Sequence, residues 1–500
     1  MSDNYYEIDT YDIKKKAVKG AGINVVTNFL NFIFRIASVI ILARLLTPKD
    51  FGLVAMVTAF SLLPMNFGLN GFTAYMVQKQ RISKKEINAI FWLHIYVSSS
   101  LALCFVVFGF FLADFYAEPA LSGISSALAL TFIAVALSTT HRSILRIEMK
   151  FASIAVGDLI AGIISIVCAI AAAIAGMGYW AVVTRQLVQP ILIVIAAWFL
   201  CSWRPSRPRE IFSDGLPCLK YGLKVYCTFA IEYLTKSIDK VLLGKFHGSE
   251  ILGNYDRAWQ LSTMPVIQLL TPLNSVAIVT LSRLKDDKKR FILYYTKAVS
   301  LVAFLGILAA IVLMLTARDF IPLLLGPGWT ETGWIVMAFS PGMAAMLVNG
   351  TISWFHLSLG TPGRLLRWNI IATTITVIFF VGAAPYGAVA MAAAFSSAKF
   401  FLVLPGLWYA GRPIELSIID LLRNIWAYFA AGLLTAIIWM TLPFFWPFFC
   451  KIFVELSPLN RVVMTVLTTP FLYTTILVIL QRSFASIREL IGLIRLFLSR

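Results

Sequence analysis

The sequence predicts an all-α polytopic membrane protein of about 14 transmembrane helices, arranged as two pseudo-symmetric six-helix bundles followed by two additional helices. Three observations lead there. First, 59% of the 500 residues are hydrophobic and only 13% are charged, with a mean hydropathy of +0.84, a composition foreign to soluble domains of this size. Second, apolar runs of roughly 20 residues, the length that crosses a bilayer as helix, recur from end to end. Third, the basic residues alternate between the two sides. Of 42 Lys and Arg, 28 fall in segments predicted to face inward and 5 in the outward loops, at Lys49, Lys245, Arg257, Arg318 and Lys451. This bias places both termini inside and calls for an even number of spans.

The spans are read at about 21–43, 52–76, 89–112, 120–140, 152–174, 178–200, 220–243, 256–280, 292–315, 333–357, 366–382, 386–408, 422–443 and 460–481. Residues 1–20 form a polar cytoplasmic tail carrying Lys14, Lys15, Lys16 and Lys19, with Tyr5, Tyr6 and Tyr11 in a stretch read as disordered. No removable signal peptide is expected. Residues 21–200 make the first bundle, and 201–219, rich in Pro and charge, the cytoplasmic linker. Residues 220–408 make the second bundle and 409–481 the two additional helices. The segment 482–500 is basic and amphipathic, too charged to span, and is expected to lie on the cytoplasmic leaflet.

The net charge of +18 does not indicate nucleic acid, because the basic residues sit in short loops between apolar runs. The six cysteines form no CxxC pair and the four histidines are isolated, so neither a disulfide framework nor a metal site is expected. No nucleotide-binding loop, HExxH helix or nucleophile elbow occurs, and the chain is not expected to be an enzyme or to carry a cofactor.

Two helices depart from the apolar pattern. In the seventh span, Lys224, Glu232, Lys236, Asp239 and Lys240 fall within an arc of about 160° at 100° per residue. A charge at the bilayer centre costs roughly 2.5–3.5 kcal/mol on insertion scales, so five cannot face lipid. In the first span, Asn24, Thr27, Asn28, Asn31, Arg35 and Ser38 fall within about 100°. Each stripe either walls a polar chamber or serves packing: the asparagines as interhelical hydrogen-bond partners, and Lys236 in an ion pair with Glu232 or Asp239.

An internal offset of 201 residues relates the two regions. It places Gly52 on Gly253, Pro64 on Pro265, Arg35 on Lys236, Asn31 on Glu232 and Arg44 on Lys245. Six spans separate the segments, and an even number preserves orientation, as in parallel-repeat transporters.

The segment LARLLTPKDFGLVAM (42–56) resembles the helix 1–2 junction of bacterial polysaccharide flippases, the Wzx-type exporters of the MATE/MurJ-like MOP superfamily. DKVLLGKFHGSEILGNYDRA (239–258), with Asp239, Leu243-Gly244, Gly248, Leu252-Gly253, Tyr255 and Ala258, resembles their helix 7–8 junction. The likeness to colanic-acid-type exporters extends over nearly the whole chain. It implies an inner-membrane protein that moves an undecaprenyl-diphosphate-linked oligosaccharide to the periplasmic leaflet by alternating access, for exopolysaccharide or O-antigen synthesis. Polymerase and chain-length regulator are its implied partners beside the membrane lipids. Arg35, Lys224, Lys236 and Lys240 suit the pyrophosphate, and Asn28 and Asn31 suit sugar hydroxyls. Glu232 and Asp239 either bind a coupling proton or sodium ion or neutralise the neighbouring lysines. Two further readings stay open. A drug antiporter of the same fold would want a carboxylate-dominated cavity. A membrane glycosyltransferase or polymerase would want a sizeable outer domain.

Overall fold

The computed structural model describes residues 5–6, 13–78, 82–207, 211–445, 453 and 455–482. It divides into two units, residues 1–253 and 254–500.

The first unit contains α1 (Ile13–Leu45), α2 (Pro48–Gln78), α3 (Lys84–Tyr116), α4 (Ala120–Ile147), α5 (Phe151–Ile174), α6 (Trp180–Leu200) and the first part of α7 (Ile211–Arg283). Helix α4 lies at its centre, packed against α2, α3, α5 and α6, while α1 packs on α5 and α5 on α6. The central position matches its composition: buried Ser125, Thr131, Ser138, Thr139 and Ser143 carry small side chains that allow close approach. Most of their hydroxyls return to a backbone carbonyl one turn earlier, as Thr139 does to Val135 O at 2.7 Å. Helix α1 starts eight residues earlier than predicted. Tyr5–Tyr6, read as part of a disordered tail, pairs antiparallel with Ile82–Ser83.

The linker is anchored. Asn88 of α3 accepts from Ser206 N at 2.9 Å and donates to Arg207 O at 3.3 Å. Trp92 Nε1 donates to Ser206 O at 2.7 Å. Arg204 turns back to the end of α6, donating to Trp198 O at 2.9 Å. Burial also pushes the Cys201 thiol up, away from thiolate reactivity. Asn88→Ala should lower stability by about 1–2 kcal/mol, the net value of two part-buried hydrogen bonds. The checks are the thermal midpoint in detergent and faster proteolysis at 201–207.

The second unit holds the rest of α7, then α8 (Lys288–Leu325), α9 (Thr330–Gly350), α10 (Ile352–Ser358), α11 (Pro362–Ala383), α12 (Ala388–Gly411), α13 (Ile418–Phe445) and α14 (Pro458–Gln481). Helix α8 packs against α9, α13 and α14, and α12 packs against α9 and α11. Pro341 lies inside α9. One turn of that helix is completed from outside: Ser396 Oγ of α12 accepts from Gly342 N at 3.0 Å and donates to Ala338 O at 2.6 Å. A hydroxyl thus sits where the direct i→i−4 bond would be, which satisfies backbone that lipid cannot.

Eleven helical segments among the described residues are long and apolar enough to cross a membrane. Among the described residues, α1 and the two segments of α7 are the remaining long helices, and α1 and the first segment of α7 carry the polar stripes.

Candidate polar faces on α1 and α7

The turn between α1 and α2 is built by its own sequence. Thr47 caps α2, with Pro48 in the first helical position, where a missing N–H costs nothing. Thr47 N and Oγ1 both donate to Asp50 Oδ2, at 2.9 and 2.7 Å, and Asp50 N returns a bond to Thr47 Oγ1 at 3.4 Å. This is a capping box with a shorter acid, two orphan donors satisfied together. It fixes where α2 begins and therefore where Gly52 lies.

The second junction is more continuous than expected. No loop separates the seventh and eighth spans. One residue, Gly248, breaks the helix, at φ 80° and ψ −176°. Only glycine adopts that backbone without strain. The segments on either side are anchored to the end of α3 and the turn after it. Lys245 Nζ donates to Phe115 O and lies 4.5 Å from the Phe115 ring, and Ser249 Oγ donates to Glu118 Oε1 at 3.0 Å.

At this point α2 and α7 cross backbone to backbone. A Cβ on Gly52 would overlap the Ser249 carbonyl and stand 3.1 Å from Gly253 N. A Cβ on Gly253 would overlap the Pro48 carbonyl and stand 3.0 Å from Gly52 N. Under the 201-residue offset, Pro48 corresponds to Ser249 and Gly52 to Gly253. The contact is therefore reciprocal, each member of a repeat pair meeting the other, as in an isologous interface.

The predicted site residues distribute unequally. Arg35 is exposed on α1. Asn31, one turn earlier, is half-buried, and its Oδ1 lies 3.5 Å from where a Cβ on Gly162 of α5 would stand. Thr27 and Ser38 of the same stripe are buried. The stripe thus serves both readings, packing along one edge and leaving a cation open. On α7, Asp239 is buried and Lys240 half-buried; Asp239 Oδ1 accepts from Lys240 N at 2.8 Å. The side chains of Asn28, Lys224, Glu232 and Lys236 lie outside the described residues, as does the segment 483–500. Among the described residues, no cluster of His, Cys, Asp and Glu has the form of a metal site.

Two ion pairs were not read from the sequence. Arg142 of α4 and Asp158 of α5 form a two-pronged pair, Nη2 to Oδ2 at 2.8 Å beside Nη1 to Oδ1. In the second unit, Arg257 is not in an outward loop. It is buried within α7, its Nη2 3.0 Å from buried Asp256, which also accepts from Gln260 at 3.1 Å. Helix resumes at Ser249, directly after the Gly248 break, so Arg257 lies two turns inside it. Its immediate neighbour Asp256 was the available signal.

This architecture is an all-α polytopic membrane fold shared with two solved structures. The chain is similar to the lipid II flippase MurJ in an inward closed conformation, with a TM-score of 0.71 and 14% identity over 92% of this chain and 98% of that one. It is also similar to an inward-facing multidrug resistance MATE family transporter, with a TM-score of 0.59 and 14% identity over 79% of this chain and 99% of that one. The chain belongs to the polysaccharide biosynthesis protein family, whose model matches residues 41–333, more than half its length.

Relatives include an uncharacterized membrane protein in the cps region of Klebsiella pneumoniae, 22% identical over 63% of this chain. Another is the lipopolysaccharide biosynthesis protein WzxC of Escherichia coli (strain K12), 20% identical over 64% of this chain. The matches span 66% and 65% of those two proteins, just under two thirds of each.

Proposed function

We propose that the protein is not an enzyme but a flippase. It carries undecaprenyl-diphosphate-linked oligosaccharide units from the cytoplasmic to the periplasmic leaflet of a bacterial inner membrane, with both termini in the cytoplasm. Transport proceeds by alternating access through a central basic cavity, with six-helix bundles at 21–200 and 220–408 and an added pair of helices at 409–481. The lipid-borne pyrophosphate meets Arg35, Lys224, Lys236 and Lys240, and sugar hydroxyls meet Asn28 and Asn31. A proton or sodium gradient drives the cycle through Glu232 or Asp239, and no other cofactor takes part. A polysaccharide polymerase and a chain-length regulator receive the product.

The observation that carries this reading is Arg35. It is a permanent cation on a long helix of a membrane fold, and it is exposed rather than buried in helix packing. Membership of a polysaccharide biosynthesis family supports a lipid-linked sugar as its anionic partner. In cells, Arg35→Ala and Lys236→Ala should each reduce polymer export at least 100-fold, on the order of two charge-assisted hydrogen bonds. Membrane levels of the protein should hold. Wild-type export in both variants overturns the proposal.

A further inference from the structure

A polar cavity of about 540 Å3 lies in the second unit, between the first turns of α8, the start of α13 and the last residue of α14. This is the end of those helices that the Lys/Arg distribution places inward. Its lining is of mixed sign: Lys289 and Lys297 from α8, Arg423 and Asp420 from α13, Glu415 from the preceding turn, and Gln481. Glu415 is engaged at the rim, 3.0 Å from Lys288 Nζ. Gln481 Oε1 is buried with no hydrogen-bond partner among the described residues. A buried acceptor in that state calls for a donor. The cavity therefore presents cations for an anion, the amino-terminal end of the 28-residue α13 beside them, and acceptors for a donor.

A second, apolar groove of about 430 Å3 adjoins it. Leu293 and Lys297 line both. Leu273, Val276, Leu301 and Trp354 carry the groove onward along α7, α8 and α10. Lys297 stands where the two meet, its stem suited to the apolar side and its ammonium to the polar side.

We propose that these adjoining pockets hold a membrane phospholipid with a primary-amine headgroup. Its phosphodiester meets Lys289, Lys297 and Arg423. Its ammonium donates to Asp420 and Gln481 Oε1, and one acyl chain enters the groove lined by Leu273 and Val276. This site is independent of Arg35 and of the proposed transport substrate. A zwitterionic head satisfies both signs of the lining; an anionic head without an amine leaves Asp420 facing the phosphate side uncompensated, and a choline head has no N–H to donate.

The test is retention of lipid by the purified full chain in detergent, read by native mass spectrometry with equimolar phosphatidylethanolamine, phosphatidylcholine and phosphatidylglycerol. Phosphatidylethanolamine should be retained about tenfold over either competitor, the value of one charge-assisted hydrogen bond. Asp420→Asn, a conservative change at an exposed helix start, should bring it within about twofold of phosphatidylcholine by removing that bond's charge. Lys289→Ala combined with Arg423→Ala should lose all three lipids. Equal retention of phosphatidylethanolamine and phosphatidylcholine by the wild type, preference for phosphatidylglycerol, or unchanged retention in the variants overturns the proposal. So does an equal rise in thermal midpoint with soluble phosphoethanolamine, which would assign the cavity to a free phosphate ester.

Discussion

Gly52→Ala and Gly253→Ala should each destabilise the protein by about 3 kcal/mol or more, toward the upper end of overpacking costs. The reason is that the obstacle is backbone. The added methyl would overlap the carbonyl of Ser249 in one case and of Pro48 in the other, and no side-chain rotation relieves it. Helix α2 is held from sliding by the Thr47–Asp50 capping box, and α7 by Ser249 on Glu118. The reciprocity of the contact sharpens the expectation. Both single changes should cost similar amounts, and the double should cost less than their sum, because one separation of α2 from α7 removes both overlaps. Gly382, inside α11 with nothing near its missing Cβ, is the contrast. Gly382→Ala should be neutral or stabilise by about 0.5–1 kcal/mol. The thermal midpoint in detergent, followed by tryptophan fluorescence, reads all four variants. A wild-type midpoint for Gly52→Ala would mean that α2 and α7 do not meet at this crossing.

That crossing also marks how far the sequence could be read. The 201-residue offset aligned Gly52 with Gly253 as equivalent positions of a repeat. Nothing in it said that the two glycines touch, because an alignment relates residues to their counterparts and not to their neighbours. The span pattern was legible because lipid imposes one composition on every helix it surrounds. The α7 junction was misplaced for a related reason. A run holding Lys245, His247, Ser249 and Glu250 looks like loop by hydropathy, yet it stays helical except at Gly248, with Lys245 and Ser249 bonded to neighbouring protein. Arg257 was then assigned to water when it is buried against Asp256. The α1 stripe was visible as a stripe. Its division between packing, at Thr27 and Ser38, and exposure, at Arg35, depends on where α5 lies, which periodicity does not contain. The polar cavity was out of reach altogether, since its lining runs from Lys289 to Gln481.

The same distinction governs the Arg142–Asp158 pair. Arg142 counted in the sequence only as one of the 28 inward cations, and Asp158 was not singled out. Together they form a fork-to-carboxylate contact between α4 and α5, with side chains 17% and 32% exposed. Removing either partner leaves a charge in a poorly solvated place, which costs about 3–5 kcal/mol when burial is complete. Partial exposure lowers this, so Arg142→Ala and Asp158→Ala should each cost about 2 kcal/mol. Arg142→Lys should fall between those variants and wild type, because an ammonium cannot reproduce the two parallel bonds. The decisive variant replaces both residues, Arg142→Met with Asp158→Leu. With neither charge left to solvate, and with apolar bulk filling the gap, it should regain most of the lost stability. Thermal midpoints of the four variants in one detergent make the comparison. If the double replacement is as damaged as the two single alanine variants combined, the charges act independently, and the pair does not couple α4 to α5.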